Sequence, residues 1–196
     1  MHETKKIKIL LLPIVVLVLL LAAAGTASSS SMPSFTLPSA VDGKDISSED
    51  FKDKVLLITF FATWCPPCHD EIPSLIQLQN ELGEKGFSVL ALSLDEGGPK
   101  IVRDLVKEKN INYPVAMANS DVVSDFGGLT GIPTSFLISS EGKMMRSYAG
   151  YVAHDLLRQD IEEIMPKEAK EKKKEEEEKK KKKNKKSEEK KKEEKK

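Results

Sequence analysis

Two cysteines separated by two prolines are the residues of this sequence best suited to chemistry. Cys65 and Cys68 enclose Pro66 and Pro67, and the 196 residues contain 2 cysteines in all. This spacing makes a disulfide between them sterically easy, and a Cys-x-x-Cys pair is typical of thiol–disulfide exchange. We expect Cys65 to be the exposed attacking thiolate and Cys68 to resolve the mixed disulfide.

Other uses of the cysteine pair stay open on these residues. A zinc site normally needs four ligands, and the chain adds only His2, His69 and His154. A purely structural disulfide would close too short a loop to stabilise the fold much. We therefore favour redox chemistry without a metal or another cofactor, and keep copper or zinc binding by this pair as an alternative.

The cysteine pair follows a predicted strand and opens a predicted helix. Residues 55–61 form an apolar run of strand length, typical of a strand buried on both faces, and the helical pattern after Cys68 reaches Leu82. A cysteine at a helix start lies near unpaired N–H groups, which typically lower its pKa to roughly 3.5 to 7.5. Pro66 and Pro67 remove two of those donors, so we expect an intermediate pKa.

The rest of the pattern predicts an α/β domain. A second buried strand at 87–94 completes a βαβ unit, which favours parallel pairing. Further segments are a helix from Pro99, a short helix at 122–126, two strands at 134–138 and 143–149, a last helix carrying Leu157, Ile161 and Ile164, and an N-terminal hairpin from 35–37 and 44–46. Together they predict a central mixed sheet flanked by helices on both faces, with an N-terminal β-hairpin extension.

An acid on the apolar stripe of the first helix is a less obvious candidate. Glu71 shares one stripe with Cys68, Leu75, Leu78 and Leu82. If Glu71 is buried behind the cysteines, desolvation and the thiolate charge raise its pKa, and it can accept the Cys68 proton. The alternative is that the start of the helix turns Glu71 to the rim, where it is an ordinary surface acid.

Two motifs together resemble the thioredoxin superfamily. Residues 64–68 (Trp-Cys-Pro-Pro-Cys) follow one buried strand, and residues 131–134 (Gly-Ile-Pro-Thr) open another, where a proline is tolerated. The segments 35–38, 42–44, 51–57 and 68–73 narrow the resemblance to the exported TlpA/ResA/DsbE-like branch. One difference is Thr59, because thioredoxin itself carries a buried aspartate there. An internal proton acceptor would then be Glu71 or water.

The resemblance implies roles for the residues of both motifs. Pro133 would be cis and lie against the cysteine pair, and the backbone of Ile132 would pair with an extended substrate segment. Glu71 would match the acid that this branch keeps beside its active site. The catalytic candidates are therefore Cys65, Cys68, Glu71 and Pro133, and the substrate-binding candidates are Trp64, Pro66, Pro67 and Ile132.

The branch also implies an activity. We expect a protein-disulfide oxidoreductase that reduces disulfides in exported proteins, apocytochrome c among them, with electrons from a thiol–disulfide partner in the membrane. A disulfide oxidase of the same fold is the alternative. A peroxidase of related fold would need an arginine near the cysteine motif, and none is near it in the sequence. The loop from Asp95 to Gly98 is a candidate neighbour of the site.

The two ends of the chain differ from its middle. A lysine-flanked apolar run ends in small residues, so 1–27 is predicted to be a signal peptide or signal anchor that places the domain outside the cytoplasm, in the periplasm or on the membrane's outer face. Residues 28–32 are a serine-rich linker and 33–166 the thioredoxin-like domain.

The Lys/Glu-rich tail at 167–196 is predicted to be disordered or helical, because it lacks the apolar residues of a core. A membrane tether is the alternative use of this tail. Its excess of lysine balances an acidic remainder, which gives a formal net charge of +0. We expect a monomer without a nucleic-acid partner.

Overall fold

The structure, a computed structural model, describes residues 31–165. These residues contain the cysteine pair and all the predicted helices and strands of the domain. The proposed signal peptide or anchor, most of the serine-rich linker and the Lys/Glu tail lie outside the described residues.

The described chain alternates strands and helices through its middle. The strands are β1 (Thr36–Pro38), β2 (Asp45–Ser47), β3 (Val55–Phe61), β4 (Phe87–Ser93), β5 (Val115–Met117), β6 (Thr134–Ile138) and β7 (Met144–Ala149). The α-helices are α1 (Pro66–Leu82), α2 (Pro99–Lys109), α3 (Ser120–Asp125) and α4 (His154–Ile164). Short 3₁₀ helices cover Ser48–Phe51 and Gly83–Lys85.

A mixed sheet forms the centre of the domain. Its strand order is β5-β4-β3-β6-β7, with β3, β4 and β5 parallel and with β6 antiparallel to both β3 and β7. Every residue of β3 is buried, as its continuous apolar run predicts. Strands β1 and β2 form a separate antiparallel pair. The predicted βαβ unit, mixed sheet and N-terminal hairpin are therefore confirmed.

Helices pack on both faces of this sheet, as predicted. Because successive side chains of a strand point to opposite faces, β3 contributes to two clusters. Leu57 and Phe61 pack with buried residues of α1, α2 and α4, on what we call the α1 face. Phe60 packs with Phe126 and Phe136 and with Val122 of α3, on what we call the aromatic face.

Two details differ from the sequence-based expectation. Strand β5 is not predicted, because its three residues directly after Pro114 are too few to show a period. Helix α3 begins at Ser120 and not at Val122, since the side chain of Asn119 accepts a hydrogen bond of 2.9 Å from the Val122 N–H and caps the helix start.

Candidate active site

The predicted site residues gather at one edge of the central sheet. Parallel β3 and β4 both end at this edge, so the Cys65 turn and the Asp95 loop follow them there. Strand β6 starts at the same edge, because Thr134 pairs with Phe60 at the end of β3. The sheet topology therefore brings Pro133 to the cysteine pair across almost 70 residues of sequence.

The two cysteines form a disulfide at the start of α1. Their Cα atoms are 5.3 Å apart, and Cys65 is the residue that precedes the first helical turn. Each cysteine is 3% exposed. The expectation of an exposed Cys65 is therefore wrong for this disulfide form, because the loop before β6 covers the sulfur.

Few backbone donors at this helix start are available to the Cys65 sulfur. Pro66 and Pro67 carry no N–H. The N–H groups of Cys68 and His69 both point to the backbone carbonyl of Cys65, at 3.1 and 3.3 Å. The N–H groups that remain in the first turn of α1 therefore bind a backbone carbonyl and not the Cys65 sulfur.

The loop before β6 lies directly against the cysteines. The bond between Ile132 and Pro133 is cis, as the resemblance implies, and Pro133 is buried. The Ile132 carbonyl oxygen lies 3.8 Å from Cys65 Sγ. Gly150, just beyond β7, donates its N–H to the Pro133 carbonyl at 2.8 Å and fixes the loop from the other side.

Three of the predicted substrate-binding residues are at the surface of the cysteine turn. The Trp64 side chain is 70% exposed, and Pro66 and Pro67 are exposed beside it. Ile132 is half-buried across from them. These four residues border the cysteine pair, and their part in binding substrate stays a prediction.

Glu71 is buried beneath the cysteines and not at the rim. It is 2% exposed, and its Oε1 accepts a hydrogen bond of 2.8 Å from the Val152 N–H. Desolvation raises the pKa of Glu71 to about 7, although the bond from Val152 lowers it in part. The interpretation of Glu71 as a surface acid is therefore wrong, and its side chain can hold or release a proton near neutral pH.

Asp95 fixes the turn that carries Cys65, a role that sequence reasoning did not assign. Its carboxylate accepts the Thr63 N–H at 2.9 Å, the Thr63 hydroxyl at 2.6 Å and the Ser93 hydroxyl at 2.8 Å. The ring of His69 donates from Nε2 to the Thr63 carbonyl at 2.7 Å. An acid just beyond a buried parallel strand was the available signal, since neighbouring strands end together.

The described residues contain neither a cluster of metal-ligating side chains nor a membrane-spanning helix. Within residues 31–165 there is no group of three or more His, Cys, Asp or Glu side chains that could hold a metal ion. The helices of that same range include none that is both long and apolar enough to cross a membrane.

Comparison with known proteins decides the family. The Redoxin family model matches residues 27–164. The chain belongs to the Redoxin family. The thiol-disulfide oxidoreductase ResA of Bacillus thuringiensis subsp. konkukian is 33% identical over 134 residues, which are 68% of this chain and 76% of the relative. ResA of Bacillus subtilis is 30% identical over 140 residues, or 71% and 76% of the two chains.

Solved structures agree with this Redoxin-family assignment. A thiol:disulfide interchange protein of the thioredoxin family from Chlorobium tepidum superposes with a TM-score of 0.67 at 33% identity, covering 72% of this chain and 100% of that one. A putative thioredoxin from Neisseria meningitidis gives 0.61 at 32% identity, covering 70% and 91%.

These comparisons place the Redoxin-family chain in the TlpA/ResA/DsbE-like group of the thioredoxin superfamily, with a thioredoxin-like fold. It is a thiol–disulfide oxidoreductase whose redox-active pair is Cys65 and Cys68. The part of the buried Glu71 in that chemistry stays a prediction.

Proposed function

We propose that this protein reduces disulfides in exported proteins, outside the cytoplasm, through its Cys65–Cys68 pair. Cys65 attacks the substrate disulfide, Cys68 resolves the mixed disulfide, and a thiol–disulfide partner in the membrane restores the dithiol. Glu71 accepts the Cys68 proton. The backbone of Ile132, beside Pro133, and the exposed Trp64 and prolines bind the substrate segment.

The surroundings of the Cys65 sulfur carry the proposed direction of electron flow. A protein is a strong disulfide oxidant when its reduced form is stabilised. Groups that stabilise the cysteine thiolate have this effect. Here Pro66 and Pro67 offer no N–H, the next two N–H groups bond to a carbonyl, and the Ile132 oxygen lies 3.8 Å from the sulfur. Strand β3 and helix α1, which lie on either side of Cys65 in the chain, contain no lysine or arginine. This environment favours the disulfide over the dithiol and therefore a reductant.

The location and the substrate rest on other observations. The predicted signal peptide or anchor at 1–27 supports a place in the periplasm or on the outer face of the membrane. Apocytochrome c before haem attachment is the substrate that the family resemblance indicates. Cell fractionation tests the first point. Reduction of a disulfide-bonded Cys-x-x-Cys-His peptide, compared with a scrambled peptide of the same composition, tests the second.

The reduction potential tests the central proposal. The purified full chain is equilibrated with dithiothreitol or glutathione redox buffers, and Trp64 fluorescence reports the fraction oxidised. We expect a potential near or below about −250 mV. A value near −120 mV would identify an oxidase instead. Fluorescence that does not change with the redox buffer, together with stoichiometric copper or zinc binding, would favour the metal-binding alternative.

A further inference from the structure

A small cavity lies behind the cysteine pair on the α1 face. Cys68 and Glu71 line it from α1, Thr59 from β3, Ala91 from β4, and Tyr113 from the segment before β5. The space open to the centre of a water molecule is about 10 Å³. A cavity needs roughly 10–15 Å³ of such space, together with polar partners, to hold one water. The cavity is therefore just large enough for one water molecule.

Thr59 brings to this cavity a hydroxyl group that needs a hydrogen-bond partner. The residue is 2% exposed, and its Oγ1 has no hydrogen-bond partner among the described residues. A buried hydroxyl left unpaired is destabilising, so such groups are nearly always satisfied by protein or by water. Thr59 pairs with Ala91 across the parallel strands, and the small Ala91 side chain leaves this space open.

The other polar groups at the cavity are close enough to interact. Burial and the negative charge of Glu71 both raise the pKa of Tyr113. Glu71 and Tyr113 are thus coupled electrostatically across a space that Cys68 also lines. Cys68 and Tyr113 are the titratable groups that share the cavity with Glu71, and the Val152 N–H reaches Glu71 from the segment before α4.

We propose that this cavity binds one water molecule, which is held by the Thr59 hydroxyl and transfers the proton between Cys68 and Glu71. The inference rests on the proposed function for the direction of transfer. Thr59 is then a positioning residue, because its hydroxyl binds the water and does not bind either cysteine sulfur.

The proton transfer belongs to the second half of the reaction. The Cys68 thiol gives its proton to the water, which passes a proton to the Glu71 carboxylate. The Cys68 thiolate attacks Cys65 Sγ, the bond between Cys65 and the substrate sulfur breaks, and the substrate leaves as a thiolate that solvent protonates. The cysteine pair is oxidised by two electrons and the substrate disulfide is reduced by two.

Stopped-flow oxidation of the reduced full chain by 5,5′-dithiobis(2-nitrobenzoate) separates the two halves. The first thionitrobenzoate released reports attack by Cys65, and the second reports resolution by Cys68. We expect Thr59→Val, which keeps the shape of the side chain and loses the hydroxyl, to slow the second phase about tenfold at pH 7. The first phase stays unchanged. Thr59→Ser restores the second phase to within about twofold, because it returns the hydroxyl.

A matched control and a second measurement complete the test. Thr36→Val makes the same change on an exposed position of β1 and leaves both phases unchanged. High-resolution diffraction from the wild-type protein should show one water within hydrogen-bond distance of Thr59 Oγ1. An empty cavity overturns the proposal even if the variants do not fold. A second phase in folded Thr59→Val that equals the wild-type rate also overturns it.

These outcomes are separable from the fate of the proposed function. A high reduction potential would refute the reductant and leave the water site and the second-phase rates to be judged by themselves. A low potential with an empty cavity would retain the reductant and refute the water.

Discussion

The two faces of strand β3 use the same backbone for different purposes. On the aromatic face, the rings of Phe60, Phe126 and Phe136 contact one another with centroids 5.0–6.1 Å apart. On the α1 face, one residue earlier, Thr59 and Glu71 are buried beside the cysteine pair. The period of two along β3 thus separates a face that is apolar throughout from a face that combines an apolar core with the polar groups of the site.

The two faces should therefore tolerate different substitutions. Changes on the aromatic face should alter the free energy of unfolding and leave the redox reaction alone, whereas changes to the polar groups beside the cysteines on the α1 face should alter the reaction as well. Four substitutions test this separation.

The largest effect is expected from Cys65→Ser. A serine hydroxyl cannot start thiol–disulfide exchange, so disulfide reductase turnover should become unmeasurable. The free energy of unfolding should stay close to that of the reduced wild type. Cys68→Ser is the matched control, since it keeps the attacking thiol and should accumulate a mixed disulfide visible by mass spectrometry. Substantial turnover by Cys65→Ser would refute the assigned order of attack.

Phe60→Ala should give the largest loss of stability. The Phe60 side chain is 0% exposed and contacts two other rings, so its removal leaves a cavity and should cost about 3–5 kcal/mol in chemical denaturation. The milder Phe60→Leu serves if the alanine variant does not fold. The reduction potential should not change in either variant. A shifted potential would break the separation of the two faces.

Glu71 should make stability depend on pH. Its pKa is about 7 in the folded protein and near 4.5 when unfolded, so the folded state holds a proton that the unfolded chain releases. The free energy of unfolding of the oxidised protein should therefore fall as pH rises from about 4.5 to 7 and level off above, by roughly 3 kcal/mol in total. Denaturation across this window measures it.

Two variants isolate the contribution of Glu71 to that slope. Glu71→Gln keeps a side-chain oxygen for the Val152 N–H and should remove the fall in stability. Glu84→Gln, at an exposed position just beyond α1, should leave it in place. Equal slopes in Glu71→Gln and the wild type would show that the buried acid does not titrate in this range.

The smallest effect is expected from Asp95→Asn, in the loop that follows β4 at the edge of the sheet. An amide cannot accept all three hydrogen bonds from Thr63 and Ser93, so the free energy of unfolding should fall by about 1–3 kcal/mol. Looser positioning of the turn should also slow attack by Cys65. Glu96→Gln, the exposed neighbour, is the control and should change neither quantity. A stable variant with wild-type kinetics would remove Asp95 from the site.

The sequence predicted the parts of the site that depend on local pattern. The cysteine spacing, the buried strand before it and the apolar stripe that carries Glu71 are all visible within about 30 residues, and the structure confirms their burial and order. The exposure of Cys65 was predicted wrongly for the disulfide form, because the loop that covers it lies 67 residues further along the chain.

Contacts between distant segments are what the sequence did not show. The bond between the Val152 N–H and Glu71 joins residues 81 apart, and the bonds of Asp95 to Thr63 span 32. No local period marks such partners, because each depends on which strands end at the same edge of the sheet. The three residues of β5 were missed for the opposite reason, since a strand this short shows no pattern at all.

The segment from Gly150 to Val152 has a consequence for how this chain can evolve. Surface loops generally tolerate insertions and deletions. Here the backbone N–H of Gly150 is bound to Pro133 and that of Val152 to the buried acid Glu71, two residues apart. A single inserted residue would pull one of these bonds out of register. Descendants of this sequence should therefore vary freely in the side chain of the exposed Tyr151 while keeping the length of its loop fixed.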